Sequence, residues 1–375
     1  MEKVRILHVL GRLDRGGAET MIMNMYRHID RSRIQFDFII HTEETCDYSN
    51  EVTSLGGVIY SVPAYNGRNH FKYKSAWRNF FKEHPEYKII HGHVRSTGAI
   101  YLKIAKRFGL ATIAHSHNTS SGKGLDAIVK NLLQYPLRHT ADILLACSVD
   151  AGRWLFGKKI DQKSNFKVIK NAIDIDKYKF NEGKRDFVRE QTNLKDKYII
   201  GHVGRLCYQK NQLFLIDVFV EILKVRSDAI LMLIGEGELR GEIEKKISDN
   251  NLEKHVILIG SVENVNDYFQ AMDVFVFPSH YEGLGIVLIE AQAAGLKCVV
   301  SDNIPNEAIV TKLVKTMSLN SSINSWVNEV LHKPDNHNRT DIKVINAIKN
   351  KGYSISDLTE EMETFYLSLL NREVK

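Results

Sequence analysis

Two glutamates stand eight positions apart in the segment PSHYEGLGIVLIEAQAAG. Glu282 lies in a glycine-rich loop after the apolar run DVFVFPS, and we expect Glu290 on the helix that follows. Eight helical residues rise about 12 Å, more than the roughly 5 to 9 Å between the carboxyl groups of a glycoside hydrolase. An unrelated loop glutamate and helix glutamate are the alternative, but Glu290 is flanked by Ile289 and Ala291, where a carboxylate needs a partner. The spacing favours two contacts with separate points of one elongated ligand.

Backbone amides and a pair of cations indicate an anion site in the same half of the chain. Free N–H groups at a helix N-terminus bind phosphate, and we expect them from Gly283, Leu284, Gly285 and Ile286. Arg205 and Lys210 follow the apolar run YIIGHVG, and a guanidinium and an ammonium at this spacing can clamp a diphosphate. Two solvated loop charges are the alternative interpretation.

Gly16 and Gly17 follow the first apolar run and precede the first amphipathic segment. Small residues there allow a ligand to approach the backbone at a helix N-terminus. The pattern is not G-x-G-x-x-G, so the dinucleotide fingerprint is absent, and a tight strand-to-helix turn is the alternative.

Two H-x-H pairs have the residue types of a zinc site, namely His91, His93, His115 and His117. Such pairs at strand ends more often line a cleft, and we expect no metal here. His115 and His117 share one side of their strand by period-two alternation, and we favour His117 as a ligand contact. The D-x-D pair Asp174 and Asp176 is interpreted as a turn and helix start.

Short apolar runs alternate with amphipathic stretches from end to end, which predicts open parallel α/β sheets. This rhythm is interrupted between Phe166 and Tyr198, so we predict domains at residues 1–170 and 171–355. A final helix at about 356–375 has an apolar stripe and should pack back on the first domain. Two doubly wound domains in tandem predict a cleft between the carboxyl ends of their sheets, where such sheets bind ligands.

Composition narrows the class of protein. The 375 residues are 43% hydrophobic and 26% charged, as in globular domains, and no apolar run is long enough to cross a membrane. We expect no signal peptide, and we expect the four scattered cysteines to be reduced in a cytoplasm. Residues 1–170 have a charge balance of +11 and the remainder −5, which predicts two domains with different partners.

The chain resembles glycosyltransferase family 4, the retaining transferases with the GT-B fold, over nearly its whole length. The resemblance is carried by RGGAE at 15–19, the Arg205 and Lys210 pair, GEGE at 235–238 and the two glutamates, Glu282 and Glu290. The segments GRLDRGGAETMIMN, HSHN and EGLGIVLIEAQAAG are similar to bacterial enzymes of exopolysaccharide or capsule synthesis. The interdomain segment departs from the family pattern, because Ala172 stands where glycine is common.

The resemblance implies a role for each site residue. Arg205 and Lys210 would hold the donor diphosphate, with Gly16 and Gly17 closing over it, and Glu290 would bind the ribose. Glu282 and His117 would contact the donor sugar. The base would lie near Gly235, Glu236 and Val262, and the amides around Leu284 would assist the phosphates.

The resemblance also implies the reaction. A hexosyl or N-acetylhexosaminyl group would pass from a nucleotide-diphosphate sugar to a glycan or polyprenyl-diphosphate-linked acceptor, with retention and without an essential metal. UDP is preferred over GDP by analogy. A sugar-nucleotide epimerase and a catalytically inactive scaffold are the alternatives within the fold. A nucleic-acid binder is the alternative outside it, but the dispersed cations lack a stacking or groove-reading motif, so we expect no nucleic-acid partner.

The resemblance implies that the basic first domain binds the acceptor. Its cations include Lys103, Lys106, Arg107, Lys123, Lys130 and Arg138. We expect them to dock the protein peripherally on the anionic inner face of the cell membrane.

Overall fold

The computed structural model describes residues 3–117, 125–333 and 338–370. Its contacts divide the chain into two compact units, with the first comprising Met1–Ala172 together with Ile355–Lys375 and the second comprising Ile173–Ser354. The sequence placed this boundary after residue 170.

The first unit contains seven parallel strands. They are β1 (Val4–Val9), β2 (Ile34–Ile40), β3 (Ile59–Ser61), β4 (Ile89–Gly92), β5 (Ala111–Ser116), β6 (Ile143–Ala146) and β7 (Phe166–Val168), in the order β3-β2-β1-β4-β5-β6-β7. The helices between them are α1 (Gly17–His28), α2 (Ser49–Ser54), α3 (His70–Glu83), α4 (Arg95–Arg107), α5 (Leu125–Gln134) and α6 (Val149–Phe156). Two 3₁₀ turns cover Tyr135–His139 and Ile160–Gln162.

The second unit contains six parallel strands. They are β8 (Tyr198–Val203), β9 (Ala229–Ile234), β10 (Val256–Gly260), β11 (Val274–Phe277), β12 (Lys297–Ser301) and β13 (Val314–Met317), in the order β10-β9-β8-β11-β12-β13. The helices are α7 (Ile175–Tyr178), α8 (Glu182–Gln191), α9 (Gln212–Val225), α10 (Arg240–Asp249), α11 (Val265–Ala271), α12 (Ile286–Ala293), α13 (Ile323–Leu331) and α14 (Ile342–Asn350). Two 3₁₀ turns cover Tyr208–Lys210 and Asn306–Ala308.

The last described helix, α15 (Ile355–Leu370), belongs to the first unit. Leu358, Met362, Tyr366 and Leu369 of its apolar stripe are buried against residues of β1, β2 and α1, and Phe365 is partly buried there. Residues 371–375, the end of the helix that the sequence predicted, lie outside the described residues.

The sheets bury both faces, as the continuous apolar runs of the sequence predicted. In β1, Ile6 packs on the side of α1 and α15, whereas Leu7 and Val9 pack on the side of α3 and α4. The strand order reverses direction between β1 and β4, and again between β8 and β11. Ligands of doubly wound sheets bind beyond the carboxyl ends of the strands at such points, so these two strand pairs locate the candidate sites.

The charged interruption in the sequence, 170–197, contains two helices of the second unit. Arg185 and Arg189 of α8 both bind Asp273, and Arg185 also donates to the carbonyl groups of residues 270–272. The helix is therefore held by ionic contacts at the end of α11 rather than by a broad apolar face, which explains why hydrophobic periodicity was weak there. Strands β3 and β13 have no clear apolar run in the sequence, and both are short strands at the edges of their sheets.

No helix among the described residues is long and apolar enough to cross a membrane. The four cysteines, all within the described ranges, form no disulfide, and Cys46, Cys207 and Cys298 are buried.

Candidate functional site

A buried ion pair joins the ends of β8 and β11 in the second unit. Lys210 ends the 3₁₀ turn after β8, and its Nζ lies 2.7 Å from Oε1 of Glu282, in the loop after β11. The side chains are only 15% and 6% exposed, and the ammonium also lies 4.7 Å from the centre of the Phe277 ring. Gln209 Nε2 donates to the other Glu282 oxygen at 3.3 Å. Both carboxylate oxygens are therefore bound, which fixes Glu282 beside the cation.

Arg205 lies on the same loop in different surroundings. Its side chain is 72% exposed, and the guanidinium lies 3.1 Å from Oε2 of Glu238. The two cations that the sequence grouped together thus differ in exposure, and an exposed ion pair contributes less than a buried one.

The loop from Glu282 to α12 presents unpaired amides. Gly285 is the N-cap of α12 with φ +77°, a conformation that favours glycine. Among the described residues, none accepts a hydrogen bond from the amides of 283–286. Their N–H groups and the helix dipole together form an anion site.

Glu290 lies on α12, five residues into the helix, and is partly buried. Its Oε1 accepts a hydrogen bond from Tyr178 Oη at 2.9 Å, and burial raises the pKa of the carboxyl to about 7. The expected partner of this carboxylate is thus a tyrosine of α7. The predicted helical rise of about 12 Å between Glu282 and Glu290 was wrong, because Glu282 precedes the helix and only residues from Ile286 onward are helical.

The GEGE segment lies directly against the loop that carries the cations. Gly235 has φ +136°, and a side chain there would collide with the carbonyl oxygen of Gly204. Gly237 is packed in the same way against Leu206, whose N–H donates to Glu236 O at 2.9 Å. Glu236 binds Arg240 through its side chain, and Val262, after β10, is partly buried against the core.

In the first unit, the turn after β1 places Gly16 and Gly17 at the start of α1. Gly16 is the N-cap, in an extended conformation that any residue can adopt. A Cβ there would meet the Glu19 carboxylate, which folds back on the helix start, but this is the end of a flexible side chain that can move aside, so the structure does not require glycine at position 16. Gly17 has open space at its Cβ position. Burial raises the pKa of Glu19.

A cavity of about 390 Å³ opens at the carboxyl ends of β1, β4 and β5. Its lining combines Gly17 and Glu19 with side chains from the neighbouring loops, namely His93, Arg95, His117, Lys130 and Asn171. Arg95 stacks over the Trp154 ring at 4.7 Å, and burial lowers its pKa. Sequence reasoning missed Arg95, although its place two residues after the H-x-H pair, at the start of α4, was a usable signal.

Five histidine rings lie together beside this cavity. His117 lines the cavity and is partly buried, whereas His115 is fully buried, 4.1 Å from it between ring centres. His91 and His93 join them, as does His8 of β1, which the sequence analysis did not connect with the H-x-H pairs. A single histidine in an apolar strand gave no sequence signal, because its neighbours come from other strands.

The remaining expectations concern the interdomain segment. Asp174 directly precedes α7 and Asp176 lies within it, in agreement with a helix start. Ala172 is absent from the positive-φ residues of the described chain, so alanine causes no strain at that position. Lys123 lies outside the described residues.

The two parallel-sheet units match solved structures of GT-B glycosyltransferases. Anabaena HepE, solved in complex with UDP, superposes with a TM-score of 0.76 and 17% identity over 98% of this chain and 100% of HepE. At this identity the likeness defines the fold, and the fold is GT-B.

Family models match both units. Residues 15–177 match "Glycosyltransferase Family 4" and residues 184–348 match "Glycosyl transferases group 1". The protein named as glycosyltransferase EpsF of Bacillus subtilis is 36% identical over 332 residues, 87% of this chain and 86% of that protein. The chain therefore belongs to glycosyltransferase family 4 and is a glycosyltransferase.

Other relatives are named for bacterial polysaccharide synthesis. An Escherichia coli "UDP-Gal:alpha-D-GlcNAc-diphosphoundecaprenol alpha-1,3-galactosyltransferase" is 26% identical over 306 residues, 76% of each chain. The capsular polysaccharide biosynthesis glycosyltransferase CapH of Staphylococcus aureus is 24% identical over 376 residues, 97% of this chain and 99% of CapH.

Proposed function

We propose that this enzyme transfers a hexosyl or N-acetylhexosaminyl group from a UDP-sugar to a polyprenyl-diphosphate-linked glycan, with retention at the anomeric carbon. The pathway is bacterial exopolysaccharide or capsule biosynthesis, in line with CapH. The observation that carries the proposal is the Lys210–Glu282 pair beside the unpaired amides of 283–286.

The second unit binds the donor. Lys210 and the amides supply positive charge for the diphosphate, and Arg205 adds a solvent-exposed cation. Glu282, held by Lys210, accepts hydrogen bonds from the sugar hydroxyls next to the diphosphate. One ion pair thus places the leaving group and the transferred sugar at adjacent positions.

The nucleoside lies between the GEGE segment at 235–238 and Glu290 of α12. Glu290 binds the ribose hydroxyls, and the base lies near Val262 and near Gly235 and Glu236, in the segment whose glycines allow it to pack directly against the 204–206 loop that carries Arg205. Uracil is the proposed base, because HepE is a UDP complex and the E. coli relative is named for a UDP-sugar.

In the reaction, the bond between the anomeric carbon and the β-phosphate oxygen breaks. The acceptor hydroxyl attacks the same face, and its proton passes to the departing phosphate oxygen. Lys210, Arg205 and the amides stabilise the charge that develops on UDP. These groups supply the required positive charge, so we assign no metal to the diphosphate. Glu282 is bound to Lys210 and does not act as a nucleophile.

The first unit binds the acceptor. Arg95 and Lys130 line the cavity beside β1, β4 and β5, where they can hold a lipid-linked diphosphate. Gly17 and His117 line this cavity, and Gly16 is the N-cap of α1 next to Gly17. We keep as proposals the contact of Gly16 and Gly17 with the donor diphosphate and the contact of His117 with the donor sugar. The E. coli relative is named for a diphosphoundecaprenol acceptor, which fits this charge.

Helix α5 and the turn after it give the first unit a surface suited to an anionic membrane. Val129, Leu132 and Tyr135 are all more than half exposed, and Lys130 lies among them. Arg138 stacks over the Tyr135 ring at 4.1 Å. Exposed apolar side chains beside cations can insert at the headgroup level while the cations attract anionic lipid. We propose peripheral attachment to the inner leaflet of the cell membrane.

The donor is tested by thermal shift with a panel of UDP- and GDP-sugars, since a bound donor raises the melting temperature by mass action. We expect a shift with UDP-sugars, and product analysis with a lipid-diphosphate acceptor should show the donor's anomeric configuration. Release of UDP with an altered free sugar and no acceptor would instead indicate an epimerase. A trapped covalent glycosyl-enzyme would contradict the same-face reaction.

Attachment is tested by vesicle sedimentation. Binding should require anionic lipid, weaken with salt, and fall in Leu132→Glu, whereas Val225→Glu on the exposed surface of the second unit serves as the matched control. Equal binding to neutral vesicles would contradict the membrane proposal without affecting the donor site.

A further inference from the structure

In the second unit, the loops that follow β8 and β11 are tied to each other by hydrogen bonds. His280 N donates to Gln209 O at 2.8 Å, and Gln209 Nε2 donates to Tyr281 O at 3.0 Å. Asn211 Nδ2 adds a hydrogen bond to Pro278 O at 3.1 Å. The two loops therefore hold their side chains in a fixed arrangement relative to one another.

An aromatic pair lies on these two loops. The rings of Tyr208 and His280 are stacked, with 4.4 Å between their centres and an interplanar angle of 18°. Tyr208 is nevertheless 69% exposed, so the stack orients its ring while most of the ring stays open to solvent. An aromatic face that is oriented and exposed can pack against an apolar face of a ligand with little loss of side-chain entropy.

A cavity of about 470 Å³ opens beside the stack, which is within the range of about 300 to 1,000 Å³ typical of small-molecule sites. His280 belongs to its lining, so the aromatic pair borders the cavity. The other polar lining side chains come from the loops after β8, β12 and β13, namely Asn211, Asp302, Asn303, Ser318 and Asn320. Three of them, Asp302, Asn303 and Asn320, have no side-chain hydrogen bond or ion pair with any residue that the structure describes.

The charges and polar groups of the lining indicate the class of ligand. Among the described residues that line the cavity, none is a lysine or an arginine, so a phosphate group would lack the cation that Lys210 supplies at the donor diphosphate. The amides of Asn303 and Asn320 can both donate and accept, and the Asp302 carboxylate accepts, which matches neighbouring hydroxyl groups. The cavity therefore suits a neutral, hydroxyl-rich ligand that also has an apolar face.

We propose that this cavity and the Tyr208–His280 stack bind one sugar residue of a glycan, separate from the sugar that is transferred. A pyranose ring carries hydroxyl groups around its edge and C–H groups on its faces, so the edge fits the amides and a face fits the Tyr208 ring. The choice of a glycan rests on the proposed function, because a transferase of polysaccharide synthesis acts on a glycan acceptor.

The cavity is distinct from the donor site. Phe214 of α9 belongs to its lining and packs on the face of the second sheet that carries α9 and α13. The unpaired amides of 283–286 begin α12, which packs on the opposite face of that sheet. The same two loops thus carry the Lys210–Glu282 pair and, separately, the aromatic stack.

The test is saturation-transfer difference NMR on the full-length protein with saturating UDP. The probes are the methyl α-glycosides of glucose, galactose, N-acetylglucosamine and N-acetylgalactosamine, and we expect at least one of them to bind. Its affinity should fall about 2- to 10-fold in Tyr208→Ala and stay unchanged in Tyr208→Phe, which keeps the ring. Asn320→Ala should weaken binding to a similar extent, because it removes a hydrogen-bonding amide. Phe71→Ala is the matched control, since Phe71 is an exposed aromatic residue of the first unit.

Three results would overturn the glycan site. They are the absence of a signal for all four glycosides, unchanged binding in both Tyr208→Ala and Asn320→Ala, and displacement of the glycoside by the UDP-sugar that gives the largest thermal shift. Displacement would place the glycoside in the donor site. Tyr208 and Asn320 are exposed, so their variants should fold, and UDP-induced thermal stabilisation of each variant verifies this. Loss of UDP stabilisation in the unmodified protein, with glycoside binding intact, would contradict the proposed donor and support the glycan site.

Discussion

Each unit has a candidate site where the strand order of its sheet reverses, but the buried polar groups at the two sites differ in charge. The second unit places opposite charges in contact, with Lys210 against Glu282 between β8 and β11. The first unit gathers neutral rings, with His8, His91 and His115 on neighbouring strands. A common sheet geometry therefore specifies where a site lies, while the residues that follow the strands specify its chemistry.

The difference has an energetic consequence. A buried ion pair loses much when one member is removed, because the remaining charge stays desolvated. When one ring of a neutral imidazole cluster is replaced, the cluster instead loses only that ring's hydrogen bonds. Variants of the second site should thus affect both stability and catalysis strongly, and variants of the first should have smaller effects on stability.

The largest expected effect is that of Lys210→Ala. Glu282 is only 6% exposed and would lose its cation, so the free energy of unfolding should fall by about 2 to 4 kcal/mol. Transfer should fall about 10²- to 10³-fold, as expected for a group that stabilises the leaving diphosphate. Denaturant unfolding and initial rates measure the two effects.

Two companion variants sharpen this result. Lys224→Ala, which removes an exposed lysine paired with Glu221, should change neither quantity measurably. The double variant Lys210→Ala with Glu282→Gln should recover stability but not activity. Recovered activity would mean that the pair is structural only.

The next effect is that of Gly235→Ala. A Cβ at φ +136° would collide with Gly204 O, so we expect a loss of about 2 to 3 kcal/mol in the free energy of unfolding and weaker UDP binding. Gly241→Ala is the matched control, since Gly241 lies in α10 with open space and alanine favours helix by about 1 kcal/mol. Equal melting temperatures for the two variants would show that the 204–206 loop can move.

Glu290→Gln should change how stability depends on pH. The pKa of Glu290 is raised from 4.5 to about 7 in the folded protein, so folding retains a proton that the unfolded chain releases. Stability therefore falls as pH rises from about 4.5 to 7, by about 1 to 3 kcal/mol, and glutamine removes this loss. Thermal unfolding at pH 5 and pH 8 should show the variant more stable only at pH 8, with weaker UDP binding. Parallel pH profiles for the two proteins would refute the raised pKa.

The smallest effects come from two matched tyrosine variants, one in each unit. Tyr178→Phe and Tyr366→Phe each remove one hydroxyl that is hydrogen-bonded to a site residue. Each should lower the free energy of unfolding by about 1 kcal/mol. Tyr178→Phe should also raise the pKa of Glu290 further, because the hydroxyl lowers it, and should weaken UDP binding. Tyr366→Phe should leave UDP binding unchanged. A loss of UDP affinity in Tyr366→Phe would contradict the proposal that the second unit binds the donor and the first unit binds the acceptor.

The sequence by itself determined the α/β class, the strand-to-loop position of nearly every candidate residue and the family. Apolar runs of five to seven residues mark buried parallel strands because both faces of such strands are covered. Motifs such as the Glu282–Glu290 spacing are local, so they can be recognised without knowledge of which strands are neighbours.

Only the tertiary structure decided which of these residues meet. Lys210 and Glu282 are 72 positions apart, and Tyr178 and Glu290 are 112 apart, so their contacts depend on strand order and helix packing. His8 joined the histidine pairs for the same reason, because β1 lies beside β4. A sequence pattern identifies the polar side chains at the end of each strand, whereas the order of strands in the sheet determines which of these side chains come into contact.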